Sequence, residues 1–283
     1  MHPISVRTAS LASGEISWLE AGEGPELVLL HGGGLDSASL SWGHLVPDLA
    51  MHFHVRAPDW PGYGGSEWDG GEYTTERLVD CLEELLEHWK ISNICLAGIS
   101  LGGAVALGLA LKRNDLVGRL VLGGSYGLQS HSPFHLLSYL TVWMPGIMPT
   151  IWSGMRWSRS SVRLTLQSVM WNTHAITDAL VEQCYDEINQ PLAGHAFMAW
   201  QRSEMQCQGL STSYLEELGQ VTQPTLLIHG DYDLLIPLYT AEGAAQRIPA
   251  AKLSVLESTG HWLQRDAPRE FLSELTAFAN QVN

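Results

Sequence analysis

Short apolar runs alternate with longer amphipathic segments in the first part of the chain. The runs Glu26–His31, His52–Pro58, Asn93–Gly98 and Leu116–Gly124 each have the length and composition of a buried strand. Along Thr74–Lys90, apolar residues recur at three- and four-residue steps, as on the buried face of a helix: Leu78, Leu82, Leu85, Leu86 and Trp89. This alternation predicts a parallel sheet with helices on its faces, and hence an α/β fold.

The alternation is interrupted between Gly127 and Tyr214, where the chain is rich in Trp, Met and Ser and its pattern is mainly helical. It resumes with strand, helix, strand and helix at Pro224–Gly230, Tyr239–Arg247, Lys252–Glu257 and Pro268–Ala279. We therefore predict a core formed by residues 1–126 and 215–283, with a helical cap inserted at 127–214. Residues Ile4–Ala21 are expected to add two antiparallel strands at one edge of the sheet.

The composition limits the classes of partner. Hydrophobic residues make up 45% of the 283 residues, which is enough for a large buried core. The formal net charge of −15 repels phosphate backbones and anionic lipid headgroups, so we expect neither nucleic acid nor an anionic membrane as a partner. Charged residues make up only 16%, which predicts some apolar surface of the kind that often marks a binding site.

Targeting and cysteine patterns favour a cytoplasmic protein. The opening segment MHPISVRTAS has no basic stretch followed by an apolar one, so we expect no secretory signal. The apolar stretch Leu136–Trp152 is broken by Pro145, Gly146 and Pro149, which favours part of a lid over a membrane span. No metal-ligand spacing or required disulfide is seen among the four cysteines, Cys81, Cys95, Cys184 and Cys207.

The central motif for chemistry is the pentapeptide Gly98-Ile99-Ser100-Leu101-Gly102, a G-x-S-x-G. It follows a strand candidate and opens a helical run, which is the context that a nucleophilic serine on a sharp strand-to-helix turn requires. The glycines leave room for neighbouring backbone, and the hydroxyl is then exposed above the sheet. We predict Ser100 as a catalytic nucleophile.

A serine hydroxyl needs a general base, and the base needs a carboxylate partner. His261 follows the strand Lys252–Glu257 and is therefore expected at the carboxyl edge of the sheet. Asp233 follows the strand Pro224–Gly230 and is the predicted partner, with Asp231 as its competitor in a turn or capping role. The order Ser, Asp, His is the one expected for this architecture.

Two backbone N–H groups should bind the negative oxygen that develops during acyl transfer. One is expected from Leu101, the residue after the nucleophile. The other is expected from the glycine loop after the first strand candidate, at Gly33 with Gly34 as second choice. We also expect Gly34 and Trp262 to contact the substrate.

Together these residues resemble the α/β-hydrolase superfamily, in its branch with a helical cap. The resemblance rests on HGGG at 31–34, DWPGYGGS at 59–66, GISLGG at 98–103, HGDYDLLIP at 229–237 and GHW at 260–262. It implies an eight-stranded, mostly parallel sheet and the absence of both a metal and an organic cofactor. Relatives that open epoxides or remove halides carry aspartate at the nucleophile position, so Ser100 argues against both activities.

The resemblance leaves more than one function open. Hydrolysis of a carboxylic ester is the first reading, with a small apolar or aromatic substrate, since the cap is rich in Trp and Met. Hydrolases that cleave carbon–carbon bonds of ring-fission dienoates are the second; those typically have Asn and Met at the positions of Ile99 and Leu101. A small-molecule receptor and an acyltransferase are further alternatives, and a homodimer is a candidate assembly. Four arginines could bind a substrate carboxylate: Arg156, Arg159, Arg163 and Arg202.

Overall fold

The computed structural model of the protein describes residues 3–281. Its strands are β1 (Ser5–Leu11), β2 (Gly14–Ala21), β3 (Glu26–Leu30), β4 (His54–Pro58), β5 (Ile94–Ile99), β6 (Val117–Gly123), β7 (Met205–Gln206), β8 (Gly209–Leu210), β9 (Thr225–Gly230) and β10 (Ala251–Leu256). Its α-helices are α1 (Ala38–Trp42), α2 (Val46–Leu49), α3 (Thr75–Trp89), α4 (Leu101–Lys112), α5 (His135–Trp143), α6 (Ile147–Arg156), α7 (Arg159–Leu166), α8 (Asp178–Ile188), α9 (His195–Glu204), α10 (Leu238–Arg247), α11 (Leu263–Asp266) and α12 (Pro268–Ala279).

Eight strands form one twisted sheet in the order β1-β2-β4-β3-β5-β6-β9-β10. The pairs β1–β2 and β2–β4 are antiparallel, and every other neighbouring pair is parallel. The predicted mostly parallel sheet with an antiparallel edge is therefore confirmed. Because β3, β5, β6, β9 and β10 run in the same direction, the loops that follow them open at one edge of the sheet, where ligands bind in this class of fold.

Alternate residues of the central strands face opposite sides of the sheet and bury two separate clusters. Val28 of β3 packs in the cluster covered by α3, α4 and α10, whereas Leu27 packs in the cluster covered by α1, α2 and α12. The helix α4 is apolar on every side and lies buried for most of its length, with its glycines against the sheet and α3. This packing holds the loop before α4 in a fixed position.

The segment between β6 and β9 is helical, as its pattern predicts. Ser158 and Thr177 each accept a hydrogen bond from a backbone N–H at the start of the following helix, which explains where α7 and α8 begin. The segment has its own apolar cluster around Val162, Leu180 and Cys184. Its limits at 127–214 as a separate cap stay a prediction.

One pair of strands was not predicted. The two-residue strands β7 and β8 form a small antiparallel hairpin between α9 and β9, which the sequence pattern did not indicate.

All four cysteines are free thiols, of which Cys207 is exposed and the other three are buried. Within residues 3–281, no helix has both the length and the apolar character needed to span a bilayer.

Candidate active site

Ser100 lies on the turn that joins β5 to α4, with φ of 52° and ψ of −116°. A residue other than glycine rarely adopts such a backbone conformation, and it persists only where the surroundings enforce it. The Ser100 N–H donates to the Gly123 carbonyl at 2.9 Å, and the Ser100 carbonyl accepts from the Tyr126 N–H at 3.0 Å. A side chain on Gly102 would overlap the carbonyl of Leu30, so the turn can be this tight only with glycine there.

His261 and Asp233 form a close pair at the carboxyl edge of the sheet. The His261 Nδ1–H donates to Asp233 Oδ2 at 2.7 Å, and the other carboxylate oxygen accepts from the N–H groups of Leu235 and Ile236 at 2.9 Å each. Burial alone would raise the pKa of Asp233, but the charge and hydrogen bond of His261, with the Ile236 N–H, hold it below its ordinary value. Asp233 is therefore an ionised acceptor that fixes the orientation of the imidazole ring.

The competing carboxylate Asp231 has a different role. Its Oδ1 accepts from the Thr259 N–H at 3.0 Å, which is the turn-forming role given as its alternative. A second histidine, His229, lies behind the pair, with Nε2 bonded to the Ile236 carbonyl at 2.7 Å and 3.5 Å from Asp233 Oδ2. Burial lowers the pKa of His229, although the negative charge of Asp233 acts to raise it. The ring is therefore neutral, and its role is to pack behind the pair.

Gly124 marks where the nucleophile turn meets the His261–Asp233 pair. A Cβ built on Gly124 would lie 3.2 Å from Asp233 Oδ2 and 3.4 Å from His261 Nδ1, and the preceding carbonyl is the one bonded to the Ser100 N–H. The three predicted triad residues thus lie around one point of the sheet edge. Within residues 3–281 the Ser100 hydroxyl has no hydrogen-bond partner, so its bond to the His261 ring stays a prediction.

The glycine loop after β3 presents its N–H groups differently. The Gly32 N–H donates to the buried Asp36 carboxyl group at 2.9 Å and is therefore occupied. Among residues 3–281, no bonded acceptor is found for the N–H of Gly33 or of Leu101, so both can donate to a ligand oxygen. Gly34 has φ of 76° and open space where a side chain would be, which leaves room for a substrate.

His31 makes this loop rigid. Its Nδ1–H donates to the Gly32 carbonyl at 2.8 Å, and its Nε2 accepts from the Trp60 N–H at 3.0 Å. Burial lowers the pKa of His31 to about 3, so the ring is neutral and both bonds persist at every pH of interest. The N–H groups of the loop are therefore held in place before any substrate arrives, as electrostatic stabilisation requires.

The cap holds the His261 loop from the opposite side. The Val169 carbonyl accepts from the N–H groups of both His261 and Trp262, at 2.8 and 3.1 Å. The buried Asp266 carboxylate accepts three backbone N–H bonds, from Gly260 at 2.6 Å in the His261 loop and from the cap residues Trp171 and Asn172 at 2.8 Å each. Neither Val169 nor Asp266 was identified from the sequence.

A line of aromatic side chains connects the cap to the nucleophile turn. The rings of Trp152, Phe197, Trp200 and Tyr126 contact one another in this order, with centroids 6.4, 5.7 and 5.0 Å apart. Phe197 also lies against the glycine loop, because a Cβ built on Gly33 would come within 2.8 Å of its ring. Sequence analysis did not single out Phe197, which is nevertheless the cap residue nearest to the predicted oxyanion donor among these contacts.

Trp262 and the four candidate arginines lie in different surroundings, which determine whether they can bind a polar part of a substrate. Trp262 is buried in the apolar cap cluster, and its indole N–H has no partner in the described part of the chain. Arg159 and Arg163 pair with exposed carboxylates, and Arg156 donates to the Ala193 carbonyl. The fourth predicted arginine, Arg202, is exposed.

Arg265 was not predicted as a site residue, yet it lies close to the His261 loop. Its guanidinium lies 6.0 Å from the centre of the Trp262 ring, and its Nε donates to the Leu40 carbonyl. Across residues 3–281, no group of three or more His, Cys, Asp or Glu side chains is arranged to hold a metal ion.

Comparisons with known proteins bear on the family and the fold of the chain. The family model described as alpha/beta hydrolase fold matches residues 25–268. The chain is 31% identical over 268 residues to the 2-hydroxymuconate semialdehyde hydrolase of Pseudomonas sp. (strain CF600), covering 93% of this chain and 90% of that protein. It is 28% identical over 270 residues to the pimeloyl-(acyl-carrier protein) methyl ester esterase of Vibrio vulnificus (strain CMCP6), covering 95% of this chain and 100% of the esterase.

A solved structure with a similar fold is the meta-cleavage product hydrolase from Pseudomonas fluorescens IP01, complexed with acetates. It superposes with a TM-score of 0.83 at 25% identity and covers 98% of both chains. The likeness therefore extends over the sheet and over the helical segment between β6 and β9.

Proposed function

We propose, for a chain that belongs to the α/β-hydrolase family, that it is a serine hydrolase cleaving carboxylic esters through Ser100, His261 and Asp233. Membership of the family confirms the resemblance drawn from the motifs, and the chain is a hydrolase of α/β fold. The observation that carries the proposal is the strained Ser100 turn beside the His261–Asp233 pair, with its 2.7 Å hydrogen bond. This arrangement supplies a nucleophile, a base and a group that orients the base.

In the first step, Ser100 Oγ attacks the ester carbonyl carbon while its proton moves to His261 Nε2. The imidazolium that results donates from Nδ1 to Asp233, whose ionised state stabilises the new positive charge. The carbonyl oxygen gains the negative charge and accepts from the N–H groups of Gly33 and Leu101. The C–O bond to the alcohol then breaks, and the alcohol leaves with the proton held by His261, which gives an acyl-enzyme.

In the second step, a water molecule replaces the alcohol. His261 takes a proton from the water as its oxygen attacks the acyl carbon, and the same two N–H groups stabilise the second tetrahedral intermediate. Collapse of this intermediate returns the proton to Ser100 Oγ and releases the carboxylic acid. Atoms balance as ester plus water giving acid plus alcohol.

The surroundings support an apolar acyl or aromatic group on the substrate. Phe197 lies against Gly33, and the cap cluster that includes Trp262 also contacts Leu40 of the core. Burial of apolar ligand surface there contributes roughly 25 cal/mol per Å². The unpartnered indole N–H of Trp262 is a donor for one oxygen of the substrate.

A second candidate function is hydrolysis of a carbon–carbon bond in a ring-fission dienoate, favoured by the relatives from Pseudomonas. Such a dienoate is itself an acid, and Arg265 beside Trp262 is a cation that could face its carboxylate. Against this, the Ile99 side chain packs against Gly123 inside the sheet, so the residue before the serine offers no polar group to a substrate. We therefore rank ester hydrolysis first.

The experiment that tests the proposal compares substrates and Ser100 variants. Wild-type protein should hydrolyse short aryl esters and react with a fluorophosphonate probe, whereas Ser100→Ala should lose nearly all turnover and labelling while keeping its circular dichroism spectrum. A receptor on the same fold would give neither turnover nor labelling. If dienoate cleavage exceeds ester hydrolysis by about a hundredfold in kcat/KM, nearly 3 kcal/mol in the transition state, carbon–carbon cleavage replaces ester hydrolysis.

A further inference from the structure

The outer surface of α5 and α6 carries an unusual concentration of exposed apolar side chains. We call it the outer cap face, and its members are between 43% and 85% exposed: Phe134, Leu136, Leu137, Leu140, Trp143, Met144 and Ile151. Pro145 and Gly146 between the two helices are exposed as well. Single exposed apolar residues are ordinary, but a contiguous set on two neighbouring helices marks an interaction surface.

Most polar side chains of this surface form hydrogen bonds within the chain. The hydroxyls of Ser138, Thr141 and Ser153 donate to carbonyls of their own helices or of the preceding turn. The indole N–H of Trp143 donates to the Met205 carbonyl at 2.7 Å. The outer cap face therefore offers a partner few hydrogen-bond donors, chiefly the hydroxyls of Tyr139 and Thr150, whereas protein interfaces carry about one hydrogen bond per 100–200 Å².

The charges around the outer cap face also differ from those of the whole chain. From Leu116 to Thr177 the sequence contains neither Asp nor Glu, although the net charge of the protein is −15. The nearby Arg159 and Arg163 are paired with Glu182 and Asp178 of α8. Arg156, at the end of α6, donates to the Ala193 carbonyl and is the one arginine of the two helices, without a carboxylate partner among the described residues. The face thus carries little charge, and the acidic surface lies elsewhere on the molecule.

Phe134 gives an independent sign that this surface meets a partner. It has φ of 50°, a left-handed conformation that is a genuine outlier for a bulky residue, and its side chain is 85% exposed. The Phe134 carbonyl accepts from the N–H groups of Leu137 and Ser138 at the start of α5, so the backbone is held in place while the ring stays exposed. A strained residue that presents an aromatic ring to the outside is typical of a binding surface.

We propose that the outer cap face binds the surface of an electrically neutral lipid bilayer, with α5 and α6 lying in the interface. Leu, Phe and Trp on one face of a helical pair match the apolar face of elements that lie in the boundary between headgroups and acyl chains. A second copy of the chain fits less well, because specific protein interfaces need more hydrogen bonds than the few free hydroxyls of this surface supply. Attraction by anionic lipids is not required, since Arg159 and Arg163 are paired with carboxylates and only Arg156 is left as a cation at its border.

This binding does not depend on the proposed ester hydrolysis, and the two are tested separately. Sucrose-loaded phosphatidylcholine vesicles are mixed with full-length Ser100→Ala protein, so that no lipid is consumed, and bound protein is measured after sedimentation. The test variants are Met144→Glu and the double variant Leu137→Glu/Met144→Glu. The matched control is Met51→Glu, since Met51 is 60% exposed on the core and Met144 is 51% exposed on the outer cap face.

We expect the parent protein to sediment with the vesicles and the double variant to bind about tenfold more weakly, because each Glu would have to enter the apolar boundary. Met51→Glu should bind within about twofold of the parent, and high salt should leave binding intact, since charge screening does not weaken apolar contacts. Absence of sedimentation, equal binding by the double variant and the Met51 control, or loss of binding in high salt would each refute the proposal. A dimer that the double variant dissociates, without vesicle binding, would assign this face to a second copy instead.

Discussion

Removal of the Asp266 carboxylate should loosen the candidate active site without touching the substrate. The carboxylate accepts the Gly260 N–H, one residue before His261, together with the N–H groups of Trp171 and Asn172 in the cap. It is 2% exposed. Asp266→Ala would therefore leave three backbone donors without an acceptor and release the His261 loop from the cap on one side.

The magnitude follows from the three bonds. Hydrogen bonds to a charged group contribute about 1.5–3 kcal/mol each, and we take the lower end because Trp171 and Asn172 are partly exposed. Asp266→Ala should then lower the free energy of unfolding by about 4 kcal/mol, a large part of the 5–15 kcal/mol of an ordinary domain. Asp266→Asn keeps one acceptor oxygen, but its NH2 group would face a backbone N–H, and two donors cannot bond to each other. We therefore expect the free energy of unfolding to fall by about 2 kcal/mol.

The assay combines urea unfolding with steady-state kinetics at a temperature where every variant is folded. The control is Asp231→Asn, because Asp231 accepts a single backbone bond, from Thr259, in a neighbouring turn. Asp266→Asn should lower kcat about tenfold with little change in KM, since the histidine rather than the binding surface is displaced. If Asp266→Ala unfolds within about 1 kcal/mol of the wild type, or if kcat for Asp266→Asn equals that of the control, the coupling through this carboxylate is wrong.

Three further changes test other parts of the site. Gly33→Ala brings a methyl group within 2.8 Å of Phe197, so kcat/KM should fall, and adding Phe197→Ala should restore most of it. Glu204→Ala removes the acceptor of the Thr212 N–H and of the Thr75 and Tyr126 hydroxyls, and it should cost more than about 2 kcal/mol in urea unfolding. Burial raises the pKa of Asp36 to about 7, so the folded protein keeps a proton that the unfolded chain releases near pH 4. Stability should therefore fall from pH 4 to 7, by up to about 4 kcal/mol, and Asp36→Asn should flatten this fall in unfolding curves measured across that range.

The core fold could be predicted because its information is local. The ends of each predicted core strand and helix differ from the observed ends by at most two residues, since apolar runs and the helical period are both contained in short windows. Ser100 could be identified for the same reason, because the turn that strains it needs glycines at fixed positions beside it. Asp233 and His261 each follow a strand, and the strand order brings their loops to one edge.

The residues that were missed act over long separations in the chain. Asp266 contacts Trp171, Phe197 contacts Gly33, and Glu204 accepts from the Thr75 hydroxyl at 2.7 Å, and none of these pairs leaves a periodic or motif signal. The hairpin of β7 and β8 has two residues in each strand, which is too short for an alternating pattern to be seen.

The same long-range bonds decide which part of the cap can move when a substrate enters. Residues Val169–Asn172 are tied to the His261 loop, and the end of α9 is tied to the core because Glu204 accepts from Thr75 and Tyr126. By contrast, α5 and α6 pack chiefly on one another and on other cap elements. Displacing the whole cap would break the bonds that position His261, whereas displacing α5 and α6 would leave them intact. We therefore expect a substrate that enters past α5 and α6, from the outer cap face, to leave the proposed base His261 in place.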